Sequence, residues 1–522
     1  ALIIPKFYDE EKNKYELRSN IYFDGKLKMQ NWQTQYADHM SQRFSNLMRG
    51  IKGSKARHTD IKTYYNLITK KLDLMDDKQI IAYAKRNFLM EKRVKELELT
   101  LEDILGNNGL TISKDIQLKE KYGFEGSVTF GPTGSGKSTS IFIPNLLSND
   151  IRGSIIVSDP KEELFKLTSK YQETICGRKV LKFSPLEPDK SEKYNLLTSC
   201  KDNSEVIELA STLLFNGALS IELSTGKKTG GAEWIQMAEP LLAAALLYAK
   251  SLEYPFNNIE FAFKMLIALD TDALDKLFME CDNTDIKMQW CIFKSVGGAD
   301  KTEGSIKITL ASNLKLFADS RINSVNMNNS FNIENFRKEP TILYVCYPEN
   351  KSSYLAPYIA PFFSQCMSKL IESYDDNLLP ITMMFDEFGN IGMLNNMSIN
   401  VATIRSRKIS MNICLQSITQ LFQIYGRENG KAILNNLKTK MILPGLSDIE
   451  TNDYLSDLCG NKEITVCNTN VNKQNTTHSY SKTKIKLFEN SELRCLEDNQ
   501  ILIITSNKQP ILAYQNLSLI HI

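Results

Sequence analysis

The most informative segment of the sequence is a glycine-rich run at residues 131–138, which reads GPTGSGKS and fits the phosphate-loop pattern G-x-x-x-x-G-K-[S/T]. In such a loop, glycines let the backbone turn its N–H groups toward phosphate oxygens at the start of a helix. Lys137 would neutralise the β- and γ-phosphates of ATP, and the Ser138 hydroxyl would be a ligand of Mg²⁺. The alternative is a glycine-rich turn without a ligand. The residues expected to bind nucleotide are Gly131, Pro132, Thr133, Gly134, Ser135, Gly136, Lys137, Ser138 and Thr139.

A pair of adjacent acids, Asp386 and Glu387, follows the apolar run at 381–385. ATP hydrolysis needs a carboxylate that holds the metal and a base that activates water, in addition to a phosphate loop. Asp386, at the end of the expected strand, would bind Mg²⁺. Glu387 would point to the other side, because side chains alternate along a strand, and would act as the general base. Acid pairs also cap helices, but their combination with a phosphate loop favours a hydrolytic site.

Three further polar residues are candidates for the same reaction. Gln416 directly follows the next apolar run, 409–415. Its amide could contact the γ-phosphate or the lytic water there; the alternative is a polar strand end. Arg405 and Arg407 precede that run. In a ring of subunits, one of them would reach a neighbour's γ-phosphate as an arginine finger. The alternative for both arginines is a surface ion pair.

The elements that must position these residues are short β-rich runs separated by helical stretches. Such alternation is typical of an α/β fold with a mostly parallel sheet and helices on both faces. The interval 196–324 has helical periodicity and almost no β-rich run, which predicts an inserted all-α domain. The expected strands are 127–130, 154–157, 180–183, 341–346, 381–385, 409–415, 440–443 and 501–505.

The predicted domain organisation has three parts. A charged, helical extension occupies residues 1–125, and the nucleotide-binding domain comprises 126–195 together with 325–522. The all-α domain, 196–324, interrupts it and accounts for the long separation between Lys137 and Asp386. Residues 462–484 are rich in Asn, Thr and Lys and are expected to form a mobile loop.

The composition excludes several classes of protein. The chain has 522 residues, 24% charged and 42% hydrophobic, which argues against wholesale disorder. Its net charge of +2 excludes a histone-like polycation. Residues 41–71 carry eight Lys or Arg against one acid, either a solvated face or a contact with nucleic acid or an anionic membrane. The longest apolar stretch has 9 residues, where a membrane span needs about 20, so we expect a soluble chain.

An ordered set of short motifs resembles the type IV coupling proteins (TraG/VirD type), which are ATPases of conjugation and type IV secretion. The resemblance covers residues 126–447 and the strand after Asn499. The family usually has glycine where this chain has Glu162, and members usually begin with membrane-spanning helices, which are not seen here. The matching segments are GPTGSGKS at Gly131, IIVSDPK at Ile155, YNLL at Tyr194, the helix from Trp234, FDEFGNI at Phe385, RSRKI at Arg405, LQSITQL at Leu415 and the pair Tyr425-Gly426.

The resemblance implies a RecA-like motor domain, an all-α domain that faces the cytoplasm, and a homo-hexameric ring that hydrolyses ATP with Mg²⁺. Such a ring would receive a relaxase–DNA complex or a protein substrate and feed it to the channel proteins of a type IV secretion system. Single-stranded DNA is the expected nucleic acid, and double-stranded DNA is the alternative. The expected location is the cytoplasmic face of the cell membrane, reached through a missing or separate transmembrane segment. Two rival functions stay open: a double-stranded DNA translocase or helicase, and a nucleotide-gated adaptor with little turnover.

Overall fold

A computed structural model describes residues 7–9, 14–16, 105–106, 109–226, 232–297, 300–472 and 475–516. The chain divides into two compact units, Ala1–Arg93 and Val94–Ile522. In the first unit, strands β1 (Phe7–Asp9) and β2 (Lys14–Glu16) pair in an antiparallel hairpin. The basic segment 41–71 and most of the expected helical extension lie outside the described residues.

The second unit is built on a nine-stranded sheet with the order β13-β12-β9-β3-β8-β7-β4-β6-β5. The seven strands from β9 to β5 are parallel, and β12 pairs antiparallel with both β9 and β13. The predicted α/β class with a mostly parallel sheet is therefore confirmed. The strands are β3 (Ser127–Phe130), β4 (Ser154–Asp159), β5 (Lys179–Phe183), β6 (Thr341–Cys346), β7 (Ile381–Phe385), β8 (Ile409–Leu415), β9 (Thr439–Ile442), β12 (Gln500–Thr505) and β13 (Ile511–Tyr514).

The continuous apolar runs of the central strands follow from burial on both sheet faces. Along β4, Ile156 enters one core cluster while Ile155 and Val157 enter another. The first cluster lies under the helical insertion, and the second contains Ile141 and Phe142, which follow the phosphate loop. All eight expected strands are present, each within a residue or two of its predicted bounds.

Helices cover both faces of this sheet. Between residues 196 and 324 every regular element of the described residues is helical, as the sequence predicts. The α-helices are α1 (Glu120–Gly123), α2 (Ile143–Leu146), α3 (Glu163–Thr174), α4 (Asn203–Thr225), α5 (Ala232–Ser251), α6 (Ile259–Ala268), α7 (Thr271–Glu280), α8 (Thr284–Gly297), α9 (Asp300–Asn313), α10 (Ser320–Val325), α11 (Ser352–Glu372), α12 (Met397–Thr403), α13 (Ile418–Tyr425), α14 (Arg427–Asn436), α15 (Ile449–Cys459) and α16 (Asn490–Arg494).

Helix α4 connects the insertion with the rest of the second unit. It packs against α5 within the insertion and against α11, which belongs to the sheet domain. Among the described residues, α4 alone is long and apolar enough to cross a membrane by length and composition, and most of its apolar window is buried inside the protein. Such a buried helix is also what the core of a helical domain requires.

Two predictions about local structure are wrong. Residues 461–486 are not a loop: strands β10 (Asn461–Asn472) and β11 (Asn475–Lys486) form an antiparallel hairpin in register along its length. The scarcity of apolar residues suggested a loop, but β-branched residues such as Ile464 and Val466, whose side chains are half-buried, favour strands.

The second correction concerns the end of the predicted helical extension. Residues 109–118 form a turn with bridges between Leu105 and Leu118 and between Thr111 and Gln117. Asn145, just after the phosphate loop, accepts a hydrogen bond from the Thr111 N–H at 2.9 Å and donates one to the Thr111 carbonyl at 2.7 Å. This segment is therefore not helical, and it is hydrogen-bonded to the segment that follows the phosphate loop.

Candidate nucleotide-binding site

The phosphate loop leaves the carboxyl end of β3 and leads directly into a helical segment. Gly134 and Gly136 adopt positive φ angles of 81° and 85°, which L-residues with side chains rarely adopt. The first helical turn, Ser138–Phe142, is a π-helical turn, a form that occurs frequently at functional sites. The loop and the helix together therefore have the backbone geometry that the sequence predicts for phosphate binding.

Asp386 lies beside the phosphate loop, although strand β8 separates β7, which Asp386 follows, from β3 in the sheet. Its Oδ2 accepts a hydrogen bond from the Ser138 hydroxyl at 2.8 Å, across 248 residues of sequence. Burial raises the pKa of the Asp386 carboxyl to about 6, against the opposing effect of that hydrogen bond. The two residues expected to bind Mg²⁺ are thus adjacent.

Glu387 contacts the lysine of the same loop. Its Oε1 lies 3.3 Å from Lys137 Nζ, and both side chains are buried. The Lys137 ammonium also donates to the carbonyls of Gly131 and Pro132, at 2.9 and 3.1 Å. With these three partners, the lysine is folded back onto its own loop.

The backbone of Glu387 explains how both acids face the phosphate loop. Glu387 has a φ of 57°, in the left-handed region, so the alternation of an extended strand stops after Asp386. The expectation that Glu387 points to the other side by strand alternation is therefore wrong. A left-handed non-glycine residue costs about 1 to 3 kcal/mol, and such residues cluster at functional sites.

Gln416 is the third polar residue at this edge of the sheet. Its Nε2 donates to Glu387 Oε2 at 3.0 Å. Its backbone N–H donates to Gln420 Oε1 at 3.0 Å, which holds the turn between β8 and α13. In the sequence, Gln420 stands out only as part of the LQSITQL motif. Its spacing of four residues from Gln416 is the signal for this local contact.

The arginines are not near this site within the same chain. Arg405 and Arg407 lie just before β8, whereas the phosphate loop lies beyond the carboxyl ends of the parallel strands. The length of β8, about 20 Å at ~3.3 Å per residue, separates the two edges. Arg405 pairs with Glu125 at 2.9 Å, and Arg407 lies over the Tyr374 ring. If either arginine contacts a γ-phosphate, that phosphate must be bound to a neighbouring subunit.

The oxygen atoms at this site fit a nucleotide with a divalent cation. Asp386 Oδ1 and Ser135 Oγ are buried and have no hydrogen-bond partner among the described residues. A carboxylate oxygen and a serine hydroxyl are oxygen ligands of the kind that Mg²⁺ prefers, and the Ser135 hydroxyl could donate to a phosphate. A buried polar group without a partner is costly, so both atoms indicate a ligand.

The neighbouring strand β4 ends at the same edge with the segment Asp159-Pro160-Lys161-Glu162. Asp159 accepts from the backbone N–H groups of Glu163 and Phe165, at 3.1 and 2.8 Å. Glu162 has a φ of 57°, so the backbone there has the conformation that a glycine adopts most easily. The departure from the family pattern at Glu162 therefore leaves the turn intact, and the Glu162 carboxylate pairs with Lys182 at 2.6 Å.

Comparisons with known proteins identify the family of this chain. Residues 77–517 match the family described as type IV secretory system conjugative DNA transfer. Protein VirD4 of Rhizobium radiobacter is 26% identical over 401 residues, which are 74% of this chain and 56% of that protein. Conjugal transfer protein TraG of Escherichia coli is 24% identical over 380 residues, 66% of this chain and 56% of that protein. The chain thus spans little more than half the length of these curated relatives.

Solved structures of the plasmid coupling protein TrwB share the fold. The complex of TrwB with the ATP analogue ADPNP has a TM-score of 0.63 at 14% identity and covers 81% of this chain and 92% of that chain. The complex of TrwB with ADP and Mg²⁺ has a TM-score of 0.58 at 14% identity, with 81% and 91% covered. With most of its length matched by the family and its phosphate loop facing Asp386 and Glu387, the chain belongs to the type IV secretory system conjugative DNA-transfer family.

Proposed function

We propose that this chain is the motor part of a coupling protein, which hydrolyses ATP to drive a relaxase–DNA complex or a protein substrate into a type IV secretion channel. The observation that carries the proposal is the pairing of the two halves of the site. Ser138 contacts Asp386 at 2.8 Å, and Lys137 contacts Glu387 at 3.3 Å. Membership of the family supplies the biological context.

The chain's own residues divide the work of hydrolysis. Residues 131–139 bind the phosphates through backbone N–H groups, and Lys137 exchanges its carbonyl partners for phosphate oxygens. Ser138 and Asp386 would hold Mg²⁺, which would supply neutralisation of the phosphate charge. Glu387, once released from Lys137, accepts a proton from the attacking water, and Gln416 keeps its carboxylate in place.

We propose that the ion pair between Lys137 and Glu387 links nucleotide binding to catalysis. While it exists, the base is neutralised by the lysine and the lysine is unavailable to phosphate. Binding of ATP replaces the pair by phosphate contacts and frees the base. The enzyme thereby activates its base only when substrate is bound.

The assembled state that we propose is a homo-hexameric ring at the cytoplasmic face of the membrane. Arg405 or Arg407 then reaches the γ-phosphate of a neighbouring subunit, because each lies too far from its own site. The ring encloses single-stranded DNA and contacts its backbone without reading the bases. Membrane attachment comes from a transmembrane segment of the same or another protein.

The test is phosphate release from Mg²⁺-ATP by the purified chain, with and without single-stranded DNA. We expect turnover that DNA stimulates and that Lys137→Ala abolishes, with the exposed Lys431→Ala as a matched control that leaves turnover unchanged. Turnover that does not respond to any DNA concentration would favour the nucleotide-gated adaptor. Separation of a DNA duplex by the chain alone would favour a helicase.

A further inference from the structure

The last described residues of the chain lie at the same sheet edge as the phosphate loop. Because β12 is antiparallel to β9 and β13 is antiparallel to β12, strand β13 runs in the same direction as the phosphate-loop strand β3. The carboxyl ends of β13 and β3 therefore lie at the same edge of the sheet, with β12 and β9 between the two strands. Gln515 is the first residue beyond it.

The side chain of Gln515 is buried and its amide hydrogens are both committed. Its Nε2 donates to the carbonyls of Asp498 and Gln500, each at 2.9 Å. Its backbone N–H donates to the Asn499 carbonyl at 2.7 Å. Only 5% of the residue is exposed. These bonds fix the orientation of the amide, so that the position of its oxygen is determined.

The amide oxygen faces the phosphate loop. Gln515 Oε1 lies 3.7 Å from the position that a Cβ would take on Gly136. Along the strand, Ile511 and Ala513 pack against the cluster that contains Ile141 and Phe142 of the phosphate-loop helix. Gln515 follows them with the same spacing of two. Among the described residues, no donor forms a hydrogen bond with Oε1, so the oxygen is an available acceptor at the rim of the loop.

The available acceptor at this position restricts which group of a nucleotide can bind to it. Phosphate oxygens are themselves acceptors and would be repelled, so the ligand group must carry an N–H or O–H. In ATP these donors are the ribose hydroxyls and the adenine 6-amino group. We propose that Gln515 binds the nucleoside of the nucleotide held by residues 131–139, through a hydrogen bond accepted by Oε1. The inference rests on the proposed function. It adds a contact with the nucleoside to the phosphate contacts made by residues 131–139.

The test compares a nucleotide with a ligand that has only the phosphates. Gln515→Met keeps the length of the side chain and removes the acceptor, together with the two hydrogen bonds donated by Nε2. Gln500→Met is the matched control: it removes the hydrogen bond from Glu497 N–H to Gln500 Oε1, 3.1 Å long, in the same corner, but leaves the Gln515 oxygen. Calorimetric titration of the full chain with Mg²⁺ then measures the affinity for ATP and for inorganic tripolyphosphate.

We expect Gln515→Met to bind ATP about tenfold more weakly than the wild type, because one hydrogen bond to the ligand is lost. Its affinity for tripolyphosphate should be unchanged. Gln500→Met should bind both ligands as the wild type does. Equal losses for ATP and tripolyphosphate, or equal losses in the two variants, would show that Gln515 only supports the loop and would overturn the inference. A wild-type chain that binds neither ligand would refute the proposed function itself.

Analogues of ATP identify the donor. If a ribose hydroxyl is bound, 2′-deoxy-ATP or 3′-deoxy-ATP should bind the wild type about tenfold more weakly than ATP, and Gln515→Met should not distinguish them. If the 6-amino group is bound, purine riboside triphosphate should show this pattern instead. Analogue affinities equal to that of ATP in the wild type would contradict the proposal.

Discussion

The substitution Glu387→Gln should strengthen the binding of nucleotide and slow its hydrolysis. It keeps the size of the side chain and an oxygen that can accept from Gln416, but it removes the negative charge 3.3 Å from Lys137 Nζ. The free chain then loses the ion pair that competes with phosphate for the lysine. The bound state loses the repulsion between the Glu387 carboxylate and the γ-phosphate.

The magnitude follows from the geometry of the pair. At 3.3 Å, with an effective dielectric constant of ~20, two unit charges interact by about 5 kcal/mol. Desolvation of two buried charges offsets most of that energy, so we expect a net gain in ATP binding of about 1.4 kcal/mol, or a tenfold lower Kd. Loss of the general base should lower kcat by ~10² to 10⁴.

The assay combines calorimetric titration with Mg²⁺-ATP and steady-state phosphate release, both on the full chain. The exposed Glu428→Gln is the matched control, since the partner of Glu428 among the described residues is Lys431 on the surface of α14. Glu387→Gln with normal turnover would refute the assignment of the base. Weaker ATP binding with a lower kcat would instead show that Glu387 supports the loop structurally.

Two further predictions concern the elements that position the site. Lys440 lies on strand β9, next to β3, and burial lowers its pKa from 10.5 to about 8. Between these two pH values the unfolded chain therefore binds more protons than the folded chain. The unfolding free energy should therefore rise with pH across that window, and Lys440→Met should be about 2 kcal/mol more stable than the wild type at pH 7. Denaturation at pH 7 and 9.5 checks that this advantage shrinks; an advantage independent of pH would contradict it. Asn145→Ala should release residues 109–118, because it removes both hydrogen bonds to Thr111, and exchange of the Thr111 amide hydrogen should become at least tenfold faster. Unchanged exchange would show that the apolar contacts of that segment suffice.

Much of the fold was predictable because its central strands are buried on both faces. A strand such as Ile381–Phe385 must be continuously apolar, and a turn must follow it, so sequence alone locates its end and the acids beyond it. The phosphate loop was predictable for a different reason, since its chemistry requires glycines, a lysine and a hydroxyl at fixed spacing. Both signals are local in the sequence.

The features that sequence could not provide depend on tertiary contacts. No residue type at position 387 or 162 indicates a left-handed backbone, because glutamate rarely adopts it without support from its surroundings. None of the described side chains of the hairpin β10–β11 is fully buried, so the apolar alternation by which strands are recognised is weak there. Gln515 is brought to the phosphate loop only by the order of the strands, which no local pattern specifies.

The central claim is that one nucleotide and one divalent cation are held between the phosphate loop and the paired acids. A crystal structure of the chain with a non-hydrolysable ATP analogue and Mn²⁺ tests it most directly, because the anomalous signal locates the metal. We expect the metal to be bound by Ser138 and Asp386, with Lys137 on the phosphates and released from Glu387. A metal that touches neither Ser138 nor Asp386, or a nucleotide bound away from residues 131–139, would contradict the account.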